Sequence, residues 1–109
     1  GGRYVLTESK HSIDFLTLIA VRNKKEEILK FMLSSGCHLV DVVYAKGSVK
    51  SEYFRDMLGL VPEEKKVMIT CLIAGNLSEH LLEQLMEKFE FGKPNTGIAF
   101  TIPVDRLSV

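Results

Sequence analysis

An excess of either charge is missing: Lys plus Arg and Asp plus Glu number 14 each, so the formal net charge is zero. Nothing in that balance draws the chain to nucleic acid or to an anionic membrane. No apolar run approaches the roughly 20 residues that cross a bilayer, and the N-terminus has no signal-like apolar segment. These absences give the expectation of a cytoplasmic protein with no nucleic-acid partner and no membrane insertion. The HxxH, CxxC and HExxH spacings are missing, so no structural metal is expected. The three histidines, His11, His38 and His80, fall in a lead-in, at a strand start and on the outer part of a helix, too dispersed for a catalytic set. Cys37 and Cys71 lie in apolar strand-like runs and read as buried, reduced thiols. Trp is absent, and that absence carries no functional message.

What is present is a chain of 109 residues, 46% apolar and 26% charged, the size and composition of one globular domain. The stretch Phe15 to Val21, FLTLIAV, has no proline, glycine or charge and is apolar at both parities apart from Thr17. Such a strand belongs in the middle of a sheet with both faces covered. Asn23 stands where an N-cap is expected, with Glu26 at the capping-box position. Ile28, Leu29, Met32 and Leu33 then form a helical stripe that Ser34, Ser35 and Gly36 end. Leu39 to Ala45 is the second strand. Val40, Val42 and Tyr44 share one parity, and Asp41 marks the other as wet or as an interface. Val67 to Ile73 is a third strand, apolar on both faces. Asn76 or Ser78 is placed to cap a second helix, whose Leu81, Leu82, Leu85, Met86 and Phe89 lie on one side. Ile98 to Val104 is the fourth strand, with Pro103 placing its end near a sheet edge.

Strand, helix, strand, strand, helix, strand is an α+β order, and right-handed crossovers turn it into the ferredoxin-like βαββαβ sandwich. That fold has a four-stranded antiparallel sheet, two helices on one face, and the first and third strands central. Residues 1–14 are then an N-terminal extension, 15–105 the domain and 106–109 a short tail. Both helices cover one face, so the apolar residues on the other predict self-association. An RNA-binding sheet of the same order displays two or three aromatics on its central strands. Here the third strand has none and the first only Phe15. The connector Ser48 to Glu64 is far longer than a hairpin needs, and loops of that length in a compact domain carry function. The turn FGKPNTG, Phe91 to Gly97, combines two glycines with Lys93 and has the make-up of a phosphate cradle, although it equally serves as an ordinary connection from helix to strand.

With these elements placed, VVYAKG at Val42 to Gly47 and GIAFTIPVD at Gly97 to Asp105 resemble the second strand and the last core strand of the PII signal-transduction family. The resemblance covers about residues 14 to 105. It implies a homotrimer with sheets facing inward, and a non-enzymatic, nitrogen-regulatory type of signal-transduction protein. An effector would bind in clefts between subunits, and a regulated partner would be reached through the T-loop, here residues 48–64. The implied cleft residues are Lys46, Gly47, Lys93, Asn95, Thr96 and Gly97, with no catalytic residue, no metal ligand and no identified cofactor. The family turn Gly-Asp-Gly-Lys corresponds to Asn95, Thr96, Gly97 and Ile98, so its phosphate-contacting lysine is an isoleucine here. Ser48 and Val49 replace the glutamine at the loop base, and only three residues follow Arg106 where the family has a basic segment. Tight ATP binding is therefore not expected. The alternatives are a CutA-like or other ferredoxin-like trimer in metal handling, and a small dimeric ferredoxin-like enzyme in which Asp41 is the one candidate acid or base.

Overall fold

A computed structural model describes residues 4–6, 12–44, 65–91, 93 and 96–108. The chain runs β1 (Tyr4–Leu6), β2 (Ile13–Val21), a 3-10 turn (Arg22–Lys24), α1 (Lys25–Ser34), β3 (His38–Tyr44), β4 (Lys66–Ala74), α2 (Gly75–Phe89), β5 (Gly97–Val104) and β6 (Arg106–Ser108). Strands β2 to β5 form one antiparallel sheet in the order β3-β4-β2-β5. The two strands that are apolar at both parities, β2 and β4, are the central pair, and the architecture is the ferredoxin-like α+β sandwich. Strands β1 and β6 form a separate antiparallel pair, Tyr4 opposite Ser108 and Leu6 opposite Arg106, so segments at the two ends of the chain meet.

One parity of the sheet carries the core. Leu16, Leu18 and Ala20 of β2 and Val67, Ile69, Cys71 and Ile73 of β4 are at most 1% exposed, and they pack with Ile28 and Met32 of α1 and Leu81 and Leu85 of α2. Both helices therefore cover the same face. Phe31 and Phe89 meet edge to face at 5.9 Å between ring centroids and join the two helices. The opposite parity forms three transverse rows set by the register. Ile102, Phe15, Leu72 and His38 make the first, Phe100, Thr17, Thr70 and Asp41 the second, and Ile98, Ile19, Met68 and Val43 the third. Phe15, Val43, Phe100 and Ile102 on this open face are exposed, while Thr17 at its centre is buried among its neighbours.

Both helix starts differ from expectation. Asn23 does not cap α1: Arg22 to Lys24 wind as a 3-10 turn directly off the strand, the helix begins at Lys25, and no side chain caps it. A 3-10 turn satisfies terminal N–H groups with i to i+3 bonds, and the acidic Glu26 and Glu27 in the first turn complement the helix dipole. The second helix begins at Gly75, before Asn76, and neither Asn76 nor Ser78 acts as its N-cap. The Gly75 N–H donates to the Ser12 carbonyl at 2.9 Å, and the buried Ser78 hydroxyl donates to an Asp14 carboxylate oxygen at 2.5 Å. The Ser12 carbonyl thus takes up the first N–H of the helix, and Asp14 of β2 ties Ser78 in the first turn to the sheet. Gly36 ends α1 as read, with φ of 90°.

Strand β3 holds an irregularity that the sequence does not announce. His38 pairs with Leu72 and Asp41 with Thr70, so one extra residue lies between them. Leu39 takes φ of 53° there and is 81% exposed. The bulge keeps Val40 and Val42 on the core side and turns Asp41 and Val43 to the open face.

Candidate functional site

The turn that links α2 to β5 is built around Glu90, which leaves the helix in the left-handed conformation at φ of 59°. Its carbonyl accepts the Lys93 N–H at 2.9 Å, and its carboxylate pairs with the Lys93 ammonium at 3.0 Å on the surface. The Thr96 hydroxyl shares its one proton between the carbonyls of Glu90 at 2.7 Å and Lys93 at 2.8 Å. Gly97 then enters β5 with φ of 155°. A Cβ there would lie 2.7 Å from the Ile19 carbonyl oxygen and 2.8 Å from the Phe91 ring, so only glycine fits without a shift.

Of the six residues implied for the cleft, Lys93, Thr96 and Gly97 come together in this turn. Lys46, Gly47 and Asn95 lie outside the described residues, as does the connector at 48–64. A cavity of about 190 Å³ opens beside Thr96, with Phe89 as an apolar wall and Lys24, Glu27, Lys88 and Glu90 bringing charge of both signs. That volume is below the 300 to 1,000 Å³ of ordinary ligand pockets. One such cavity accepts a compact ion or part of a larger ligand, not a whole nucleotide.

At the other edge of the sheet, β3 ends on Tyr44. The Lys25 ammonium donates to the Tyr44 hydroxyl at 2.6 Å and pairs with Glu26 at 3.1 Å. The Tyr44 hydrogen bond and then Glu26 hold the Lys25 amine above its usual pKa. The Arg22 guanidinium lies 4.8 Å from the Tyr44 ring centroid, and its Nη2 donates to the Lys66 carbonyl at 3.3 Å. Two cations thus grip one aromatic ring where the chain leaves the sheet. The sequence reading missed this cluster, since nothing local links Arg22 and Lys25 to a tyrosine some twenty positions on.

The register places these two regions. Tyr44 pairs with Val67, Val67 with Ala20, and Ala20 with Gly97, so Tyr44 and Gly97 end one transverse row. At 4.7 to 4.9 Å per strand, three spacings separate them by about 14 Å. The end of β3 at Tyr44 and the turn that holds Lys93, Thr96 and Gly97 are therefore on opposite edges of the sheet. Ile98, the first residue past the turn, projects onto the open face against Ile19. Apolar contact replaces any charge at that point.

The chain superposes on the apo form of CPII, a nitrogen regulatory PII-like protein from Thiomonas intermedia K12, with a TM-score of 0.70, 16% identity and coverage of 98% of this chain and 99% of that one. The chain has the PII-like fold. CPII bound to ADP, AMP and acetate matches with a TM-score of 0.67 at 17% identity over 91% of each chain. A protein of Thermus thermophilus assigned to PII-like signaling matches with a TM-score of 0.64 at 13% identity over 90% of each. No family model and no curated protein sequence matches the chain.

Proposed function

We propose that this chain is a non-enzymatic PII-like regulatory protein that works as a homotrimer. A small anionic effector would bind in the clefts between subunits, and residues 48–64 would reach a regulated partner. The observation that carries this reading is the separation of the implied cleft. The end of β3 at Tyr44 and the turn holding Lys93, Thr96 and Gly97 lie at opposite edges of one sheet, so a cleft that joins residues following Tyr44 to that turn would need the β3 edge of one subunit to meet the β5 edge of the next. Packing the open faces around a threefold axis would bring unlike edges together and cover the exposed Phe15, Val43, Phe100 and Ile102 at the same time.

The ligand class follows from the charges at hand. CPII is described with ADP, AMP and either acetate or bicarbonate. In this chain Lys93 is engaged by Glu90, and Ile98 offers no charge to a phosphate. Each charge-assisted contact is worth about 1.5 to 3 kcal/mol, so losing one or two weakens a nucleotide by roughly one to four powers of ten. The effector that fits best is a compact anion such as a carboxylate, a bicarbonate or a monophosphate.

Calorimetry on the full chain with ATP, ADP, AMP, bicarbonate and acetate, with and without magnesium, tests this. The expected result is ATP binding no tighter than millimolar, with a compact anion bound more tightly than ATP. Micromolar ATP binding that disappears on Lys93→Ala would overturn the ligand assignment, and absence of binding by all five would overturn the effector role. No observation singles out the metal-handling or dimeric-enzyme readings.

A further inference from the structure

Cys37 and Cys71 have no part in the reading above, yet they form the one pair of like nucleophiles inside the described core. Both are free thiols, Cys37 at 7% exposure and Cys71 at 1%. Cys71 stands on the helix-covered side of central strand β4, and Cys37 is the residue immediately before edge strand β3. His38 pairs with Leu72, so the two cysteines lie diagonally across that pair, on strands spaced about 4.8 Å apart. Both side chains belong to the one buried cluster between the sheet and the helices.

From this juxtaposition of two neighbouring buried thiols with a strained bulge in the strand that follows Cys37, we propose that Cys37 and Cys71 are a reversible dithiol switch, oxidised by hydrogen peroxide to an intrachain disulfide. The bulge matters because a diagonal pair, about 7 to 8 Å apart, lies just beyond the Cα separations that a disulfide accepts without backbone movement. Closing the bond needs a small slide of β3 along β4. The ladder is already out of register at the next residue, where Leu39 holds a left-handed conformation costly for a large side chain. The strand therefore has slack in the one place where the bond requires it.

The roles follow from access and from the shared proton. Cys37 is the more exposed thiol, and the hydrogen bond from Cys71 draws its pKa below the ordinary thiol value; the same bond and burial push Cys71 up. Cys37 as thiolate attacks one peroxide oxygen, the O–O bond breaks, and the leaving oxygen departs as water with a thiol proton, leaving a sulfenic acid. The Cys71 sulfur then attacks that sulfenic sulfur, the disulfide forms, and the hydroxyl leaves as a second water with the Cys71 proton. Two thiols lose two electrons in all, and the peroxide gains them. The bond would tie the strand that leads into residues 45–64 to the strand that leads out of them.

The test uses the reduced full chain with hydrogen peroxide in excess, then intact mass, thiol titration in denaturant and a peptide map. The expected product is a monomeric chain lighter by about 2 Da, with both thiols lost, a Cys37–Cys71 linked peptide, and full recovery with dithiothreitol. In Cys71→Ala the sulfenic acid on Cys37 should persist and be trapped by dimedone. In Cys37→Ala, Cys71 should react more slowly than Cys37 does in the wild type. Should either variant fail to fold, the wild-type map decides alone. Survival of both thiols under conditions that oxidise free cysteine, oxygen adducts without the linked peptide, or linkage only between chains would each overturn the proposal.

Discussion

The two faces of the central strands have nearly the same composition and opposite surroundings. On the helix side Leu16, Leu18, Val67 and Ile69 are completely buried. On the other side of the same strands and of their edge neighbours, Phe15 is 37% exposed, Phe100 42% and Ile102 52%. Strand hydrophobicity alone does not distinguish a face covered by the chain's own helices from one left open. The difference arises from element count: two helices suffice for one side of a four-stranded sheet. The open side exposes Phe15, Val43, Phe100 and Ile102 on rows that run from edge to edge, with Thr17, Thr70 and Asp41 in the middle one, and an apolar face of this kind is a surface that another copy can cover.

Substitutions on the two faces sharpen this comparison. The largest effect is expected on the helix side, where Leu18→Asp places a charge in a fully buried site and costs more than about 4 kcal/mol. Circular dichroism and urea melts should show a largely unfolded chain; a cooperative melt near the wild-type midpoint would remove the distinction between faces. Next is Gly97→Ala at the edge of β5, where a methyl group meets Ile19 and Phe91 and the backbone is strained. A loss of about 2 to 4 kcal/mol is expected in the same melts, and an unchanged midpoint would show that the turn yields freely. Smallest, and opposite in sign, is Leu39→Gly. Relief of the left-handed conformation at an exposed site should stabilise the fold by about 0.5 to 1 kcal/mol, and destabilisation would mean that the leucine side chain is held by something in the assembly.

The fold was legible because its main signals are local. Apolar runs at Phe15 to Val21 and Val67 to Ile73 mark central strands, and the stripes Ile28, Met32 and Leu81, Leu85 mark the buried helix faces. What stayed hidden depends on long-range contact. The start of α2 is held by Ser12 and Asp14, more than sixty positions away, so local cap chemistry at Asn76 and Ser78 misleads. The start of α1 follows from a 3-10 turn joined to Lys65, and the Asn23 box goes unused. The bulge at Leu39 has no glycine to announce it. In the candidate site, the glycine and polar residues of the turn drew attention to Lys93, Thr96 and Gly97. Their partners were not readable: Glu90 on Lys93, and Phe91 and Ile19 against Gly97. The grip of Arg22 and Lys25 on Tyr44 was equally silent, since it joins a turn to a strand end across the sheet edge.

The central claim, that the open sheet face is an interface between copies of this chain, is tested most directly by sedimentation equilibrium of the wild type beside Phe100→Asp. Phe100 is exposed in the middle row of that face, so aspartate there should leave the isolated fold within about 0.5 kcal/mol of the wild type. The account predicts three times the chain mass for the wild type at micromolar concentration and a folded monomer for the variant. A wild type that sediments as a monomer, or a variant that remains trimeric, would contradict it.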